Sequence, residues 1–229
     1  MKTLGLIGGT SWHSTVDYYK LINRMTNERL GGLHSARLVM HSMNFHEFYS
    51  DNQTNGWDST ERFLIPIAQS LEQAGAEGLI LCANTPHMVA EGIQRAINIP
   101  LIHIVEATAK EIVKQNQTRV GLLGTIFTME QPFYRDILTK HGIEALVPEK
   151  SVREWIHNTI VHELGVGAFK PETRAEYLRI MHDLKQQGAE GIILGCTEIP
   201  MLLSTDECPM PAYDTTQIHA TAAVDFALS

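Results

Sequence analysis

The sequence predicts an α/β protein built as two pseudo-symmetric lobes with mainly parallel sheets. Three observations carry that prediction. Short apolar segments bounded by glycine alternate with longer segments of helical periodicity, the rhythm of parallel β-α units. The two halves of the 229-residue chain repeat one another in order. Hydrophobic residues make up 44 % of the sequence, enough for a substantial buried core.

The first strand is read at residues 3–7, closing on Gly8 and Gly9. A helix follows in which Val16, Tyr19, Ile22 and Leu30 recur near helical spacing, with Ser14 or Thr15 as its cap. Residues 37–42 read as a strand, 60–74 as a helix ended by Gly75, 78–82 as a strand, 85–96 as a helix and 99–103 as strand-like. In the second half, 119–123 and 191–194 read as strands, and 130–140, 153–164 and 171–187 as helices. The segment from Leu71 to Leu81 lines up with that from Leu184 to Leu194. Upstream, Gly5-Leu6-Ile7-Gly8 echoes Gly121-Leu122-Leu123-Gly124, and downstream Pro100 falls where Pro211 falls in the other copy. The expected organisation is two Rossmann-like lobes, 1–102 with 210–229 and 103–209, joined by short crossings near 100–106 and 209–214. Ligands of such sheets bind at the carboxyl ends of the strands, and pockets favour domain interfaces. The expected site is therefore a cleft between the lobes.

The formal charge of −8 is spread without basic clusters, which argues against nucleic acid or an anionic membrane as partner. No signal-peptide pattern and no bilayer-length apolar stretch is seen, so a cytoplasmic protein is expected. Cys82, Cys196 and Cys208 are an odd number for such a chain; a disulfide framework is not expected, and a thiol with a chemical role is. The eleven histidines include no H-E-x-x-H, no C-x-x-C occurs, and nothing resembles a lysine-centred pyridoxal phosphate site.

Each lobe places a cysteine just after the repeated strand: Leu81-Cys82-Ala83-Asn84-Thr85 in one, Gly195-Cys196-Thr197-Glu198 in the other. A helix N-terminus beside each is expected to lower its pKa toward neutrality by stabilising the thiolate. Two thiols at matched positions suggest a base on one side of a carbon and an acid on the other, the geometry racemisation needs. Asn84, Thr85 and Thr197 carry donors suited to an α-carboxylate, while Thr10 and Ser11, and Thr125 and Thr128, form polar rims on the equivalent turns. Any one of these threonines could instead be a helix cap. Cys82 with His87 is a weaker alternative, a Cys-His nucleophile; Cys208 reads as structural.

Gly8-Gly9-Thr10-Ser11-Trp12, Leu81-Cys82-Ala83-Asn84-Thr85-Pro86-His87 and Gly195-Cys196-Thr197-Glu198 together resemble the aspartate/glutamate racemase family. Gly31-Gly32-Leu33-His34-Ser35-Ala36 and the stretch from Gly124 to Glu130 are similar to its bacterial broad-specificity branch. The resemblance implies no cofactor or metal, a free amino acid as substrate, a homodimer, and Cys82 and Cys196 as alternating acid and base. It further implies Asn84, Thr85, Thr125, Thr128 and Thr197 as ligand contacts, with Thr10 and Ser11 near the amino group or side chain. Thr10, His13 and Pro86 depart from the pattern of close relatives, and Val166 falls where some aspartate-specific members carry a lysine; that favours a neutral or broad substrate range. Of the other readings, a decarboxylase of the same superfamily would keep only one cysteine. A maleate-type cis–trans isomerase would keep both, and a non-catalytic amino-acid-binding protein leaves the pair unexplained.

Overall fold

The computed structural model describes residues 1–229, apart from the side chains of Asp51 and Gln53, and the chain divides into two compact units. The first comprises Met1–Ile104 with His219–Ser229, the second Val105–Ile218.

The first unit contains β1 (Leu4–Gly8), α1 (Trp12–Leu30), β2 (Leu38–Ser42), α2 (Phe45–Asn55), α3 (Trp57–Gln73), β3 (Gly78–Leu81), a 3₁₀ turn (Thr85–Val89) and α4 (Ala90–Ala96). Its strands run parallel in the order β2-β1-β3, and a single bridge from Leu79 to Leu101 lies beyond β3. Every residue of β1 and β3 is buried, because helices cover both faces of the sheet. Leu4, Leu6 and Ile80 pack with Tyr18 and Ile22 of α1, while Ile7, Leu79 and Leu81 pack with Leu64, Ala68 and Leu71 of α3. The period-two alternation of a strand thus feeds two separate apolar layers.

The second unit contains α5 (Ile104–Lys114, entered from the last residue of the first unit), β4 (Arg119–Gly124), α6 (Ile126–Glu130), α7 (Pro132–Lys140) and β5 (Glu144–Leu146). It continues with α8 (Lys150–His162), α9 (Pro171–Gln186), β6 (Gly191–Gly195), α10 (Ile199–Leu202) and β7 (Ala212–Asp214), and the chain returns within α11 (Thr215–Leu228). The strands are again parallel, in the order β5-β4-β6-β7. Leu123, Ile192 and Leu194 pack with Ile156 and Ile160 of α8 and Tyr177, Met181 and Leu184 of α9.

The sequence repeat is a repeat of hydrogen bonds. Ala76 N–H donates to Leu71 O, as Ala189 N–H does to Leu184 O, both at 3.0 Å. Leu79 N–H donates to Pro100 O and Ile192 N–H to Pro211 O, both at 2.9 Å. Gly75 and Gly188, which end the preceding helix in each copy, have φ of +93° and +97°, values that favour glycine.

Several expectations are corrected. Ser11, not Ser14 or Thr15, caps α1. The helix expected at 130–140 begins at Pro132, which suits a first helical turn, and α6 precedes it as a separate element. Residues 99–103 contribute one bridge rather than a strand. The return crossing comes later than the expected 209–214, after Ile218, because β7 pairs with β6 and keeps that segment in the second unit. Among the described residues, no helix is long and apolar enough to cross a membrane.

Candidate active site

In the first unit Cys82 sits at the carboxyl end of β3, its N–H donating to Ile7 O at 2.9 Å. The thiol is 2 % exposed. Ser14 of α1 donates its hydroxyl to Cys82 O at 2.7 Å, which fixes the backbone at the cysteine from a neighbouring element. The turn after β1 is fixed as firmly. Thr15 Oγ1 accepts from Gly9 N–H at 2.9 Å and donates to Ser11 O at 3.0 Å. Gly9 has φ of +93°, and a Cβ there would lie 2.1 Å from Met43 O. Ser11 accepts from Ser14 N–H at 3.4 Å, so its hydroxyl serves as a helix cap. Thr10 and Thr85 are half-buried and Asn84 is buried, its carbonyl accepting from His87 N–H at 3.1 Å. Thr10, Ser11, Cys82, Asn84 and Thr85 thus gather at the carboxyl ends of the paired strands β1 and β3.

In the second unit β4 and β6 end side by side at Gly124 and Gly195, and Cys196 follows at once. Its Sγ donates to Glu198 Oε2 at 2.9 Å, and Thr197 Oγ1 donates to the same oxygen at 2.7 Å. Cys196 and Glu198 are both buried. Thr125 caps α6, accepting from Thr128 N–H at 3.3 Å. Thr128 is fully buried, and its methyl lies where a side chain on Gly124 or Gly195 would go, so it forms the floor of the turn. Thr125, Thr128, Cys196 and Thr197 are therefore brought together at one strand end, with Thr128 beneath the others.

The thiols differ from expectation in their proton affinity. Burial pushes the pKa of Cys82 up, and that of Cys196 well up, where the Glu198 carboxylate adds to it. The helices that follow are a single 3₁₀ turn and the four-residue α10, too short to offset the loss of hydration of a thiolate. Both cysteines rest as thiols. The Cys82–His87 alternative also falls, since Nδ1 of His87 lies 2.9 Å from Ala83 O and Nε2 accepts from Ile104 N–H at 3.3 Å. Sequence reasoning missed Glu198 as a hydrogen-bond acceptor for Cys196 and Ser14 as a clamp on Cys82. A carboxylate two residues beyond a cysteine at a buried strand end was the available signal for the first; the second depends on tertiary contact. Cys208 is half-buried beside Ser204 O, and all three thiols are free. Among the described residues, no group of three or more His, Cys, Asp or Glu side chains is placed to hold a metal ion.

Each of the two parallel α/β units presents a buried cysteine at the carboxyl end of a strand. The chain belongs to the Asp/Glu/Hydantoin racemase family, whose model matches residues 7–223. It is 28 % identical to the broad-specificity amino-acid racemase of Bacillus subtilis over 77 % of this chain and 76 % of that protein. It superposes on the crystal structure of an Asp/Glu racemase candidate from Yersinia pestis with a TM-score of 0.95 and 46 % identity, each chain covered in full. An aspartate racemase homologue from Pyrococcus horikoshii gives a TM-score of 0.87 and 36 % identity, again over the whole of both chains.

Proposed function

We propose that the protein is a cofactor-independent racemase that moves the α-proton of a free amino acid, with Cys82 and Cys196 as its two acid–base groups. The observation that carries this reading is the equivalence of the two thiols. Each follows the same strand of a repeated sheet, buried and bounded by residues able to hydrogen-bond a zwitterion. One cysteine, as thiolate, removes the α-proton; the other, as thiol, delivers a proton to the opposite face of the carbanionic intermediate.

Glu198 supplies what the resting state lacks. With both cysteines protonated, one must lose its proton before the α-carbon can be attacked. Cys196 already donates to Glu198, so transfer along that hydrogen bond leaves a thiolate and a neutral acid without bringing net charge into the site. The ammonium group of a bound substrate further favours the thiolate. A positioned acid or base contributes about 10²–10⁴-fold, so stabilisation of the carbanion must supply much of the rest. Backbone N–H groups of the glycine-bounded turns, with Asn84, Thr85, Thr125 and Thr197, are suited to hold the carboxylate on which that charge develops. Thr10 and Ser11 belong to the amino or side-chain end.

The substrate range is read as broad or neutral, from the likeness to the Bacillus subtilis racemase and from Val166, which is exposed and uncharged. A homodimer and a cytoplasmic location belong to the same reading and rest on the family and the sequence. Proton NMR in D₂O over a panel of L-amino acids, including aspartate, glutamate, homoserine and methionine, tests it without added cofactor. Loss of the α-proton signal together with the D-isomer is the expected result; a folded, reduced protein silent across the panel would overturn it.

A further inference from the structure

We propose that His87 is a positioning residue for Cys82, holding the turn after the thiol to the segment through which the chain leaves the first unit. This deepens the racemase reading and rests on it for its functional meaning. The geometry fixes the tautomer. Ile104 N–H is a donor, so Nε2 of His87 must accept, at 3.3 Å. The proton of the neutral ring then sits on Nδ1, 2.9 Å from Ala83 O and 3.3 Å from Asn84 O. One imidazole therefore clips two carbonyls adjacent to Cys82 and, on its other side, receives the first N–H of α5.

The anchoring segment is itself held. His219 Nε2 donates to Ile102 O at 2.6 Å, and its Nδ1 accepts from Tyr18 O–H at 2.8 Å. Residues 102–104 are thus hydrogen-bonded by two neutral imidazoles, at Ile102 O and at Ile104 N–H. The rings of His103 and His219 stand 4.6 and 5.5 Å from that of His87 and complete the cluster. His87 and His219 are buried, and a buried histidine with both nitrogens committed has no freedom to shuttle protons for Cys82. Its service is orientation: the turn after Cys82 cannot tilt without breaking two bonds to one rigid ring.

Two amide substitutions separate the functions of the ring nitrogens. Asn places an N–H near the position of Nδ1 and reaches no further, so His87→Asn keeps the clip on Ala83. Gln extends to the position of Nε2, so His87→Gln keeps an acceptor for Ile104 and loses the clip. In full-length protein with Cys196 and Cys208 replaced by Ser, the rate at which iodoacetamide alkylates the remaining thiol reports the surroundings of Cys82 without turnover. His87→Asn is expected to react as the parent does. His87→Gln is expected to react about tenfold faster, the change that one unit in the thiol pKa produces as water enters. With Cys196 and Cys208 intact, His87→Gln should lose about 10²-fold in kcat with KM nearly unchanged, and His87→Asn should restore it. Equal alkylation rates in the two variants, or protection by Gln and not by Asn, would overturn the proposal. Because alkylation needs no substrate, it decides on His87 even if the protein proves inert toward amino acids.

Discussion

At the scale of the residue, two side chains not singled out as site residues from the sequence do much of the organising. Glu198 accepts from both Cys196 and Thr197, so Glu198→Gln keeps a hydrogen-bonding shape while removing the proton acceptor. A kcat lowered by about 10²-fold or more, with the melting temperature little changed, is the expected result in steady-state assays. Ser14→Ala removes the donor to Cys82 O; it should cost about 1 kcal/mol in urea unfolding and slow turnover through the displaced thiol. The placement of the cysteines at matched strand ends was legible because they recur after a repeated apolar strand. Their proton affinity was not, because it depends on burial and on a carboxylate whose orientation only the fold determines. Ser11 and Thr125 show the same limit: the residue types were read as polar rims, and the structure uses both hydroxyls to cap helices.

At the scale of the element, the turn between β1 and α1 is the most constrained part of the first strand end. Gly9 has the φ of the left-handed region and no room for a Cβ against Met43 O. Gly9→Ala should therefore destabilise by about 3 kcal/mol or more, read as a fall in melting temperature and in urea midpoint, since strain and displacement of Met43 add. Elements with one strong local signal were readable: β1, β3, β4 and β6 as apolar runs between glycines, and α9 from Pro171 onward. α5 also carried one, with Ile104, Thr108 and Ile112 at helical spacing, and was passed over; the others missed were weaker. β5 and β7 are three residues each, and α11 is alanine-rich without a polar stripe, so no periodicity marks it. The 3₁₀ turn carrying His87 was read as ordinary helix, which hid the ring that ties Ala83 to Ile104.

At the scale of the whole molecule, buried neutral groups set the pH range in which the fold holds. Burial lowers the pKa of His87 well below 6.5 and that of His219 to about 4, with neighbouring histidines adding to both. Lowered values mean that the unfolded chain binds the extra protons, so this stabilisation is complete above about pH 6.5 and is lost as pH falls. His219 alone should account for about 2 kcal/mol between pH 7 and 5, read from urea unfolding at the two values, and His219→Gln should flatten the difference. The buried thiols act in the opposite sense. Their raised values favour the fold below about pH 9, and stability is lost as pH rises beyond that. The duplicated sheet was legible at this scale because the repeat spans strand, turn and helix end together; the first crossing, after Ile104, falls within the expected 100–106, and the return was not legible, since a three-residue strand decides it.

The central claim is that both thiols are needed for one racemisation, one to remove the α-proton and the other to deliver a proton to the opposite face. Racemisation of the best substrate, followed by polarimetry or chiral chromatography in Cys82→Ala and Cys196→Ala separately, tests it most directly. Each variant should fold, bind substrate and form no opposite enantiomer, because one face of the α-carbon has lost its acid or base. Full activity in either variant would contradict the two-thiol mechanism.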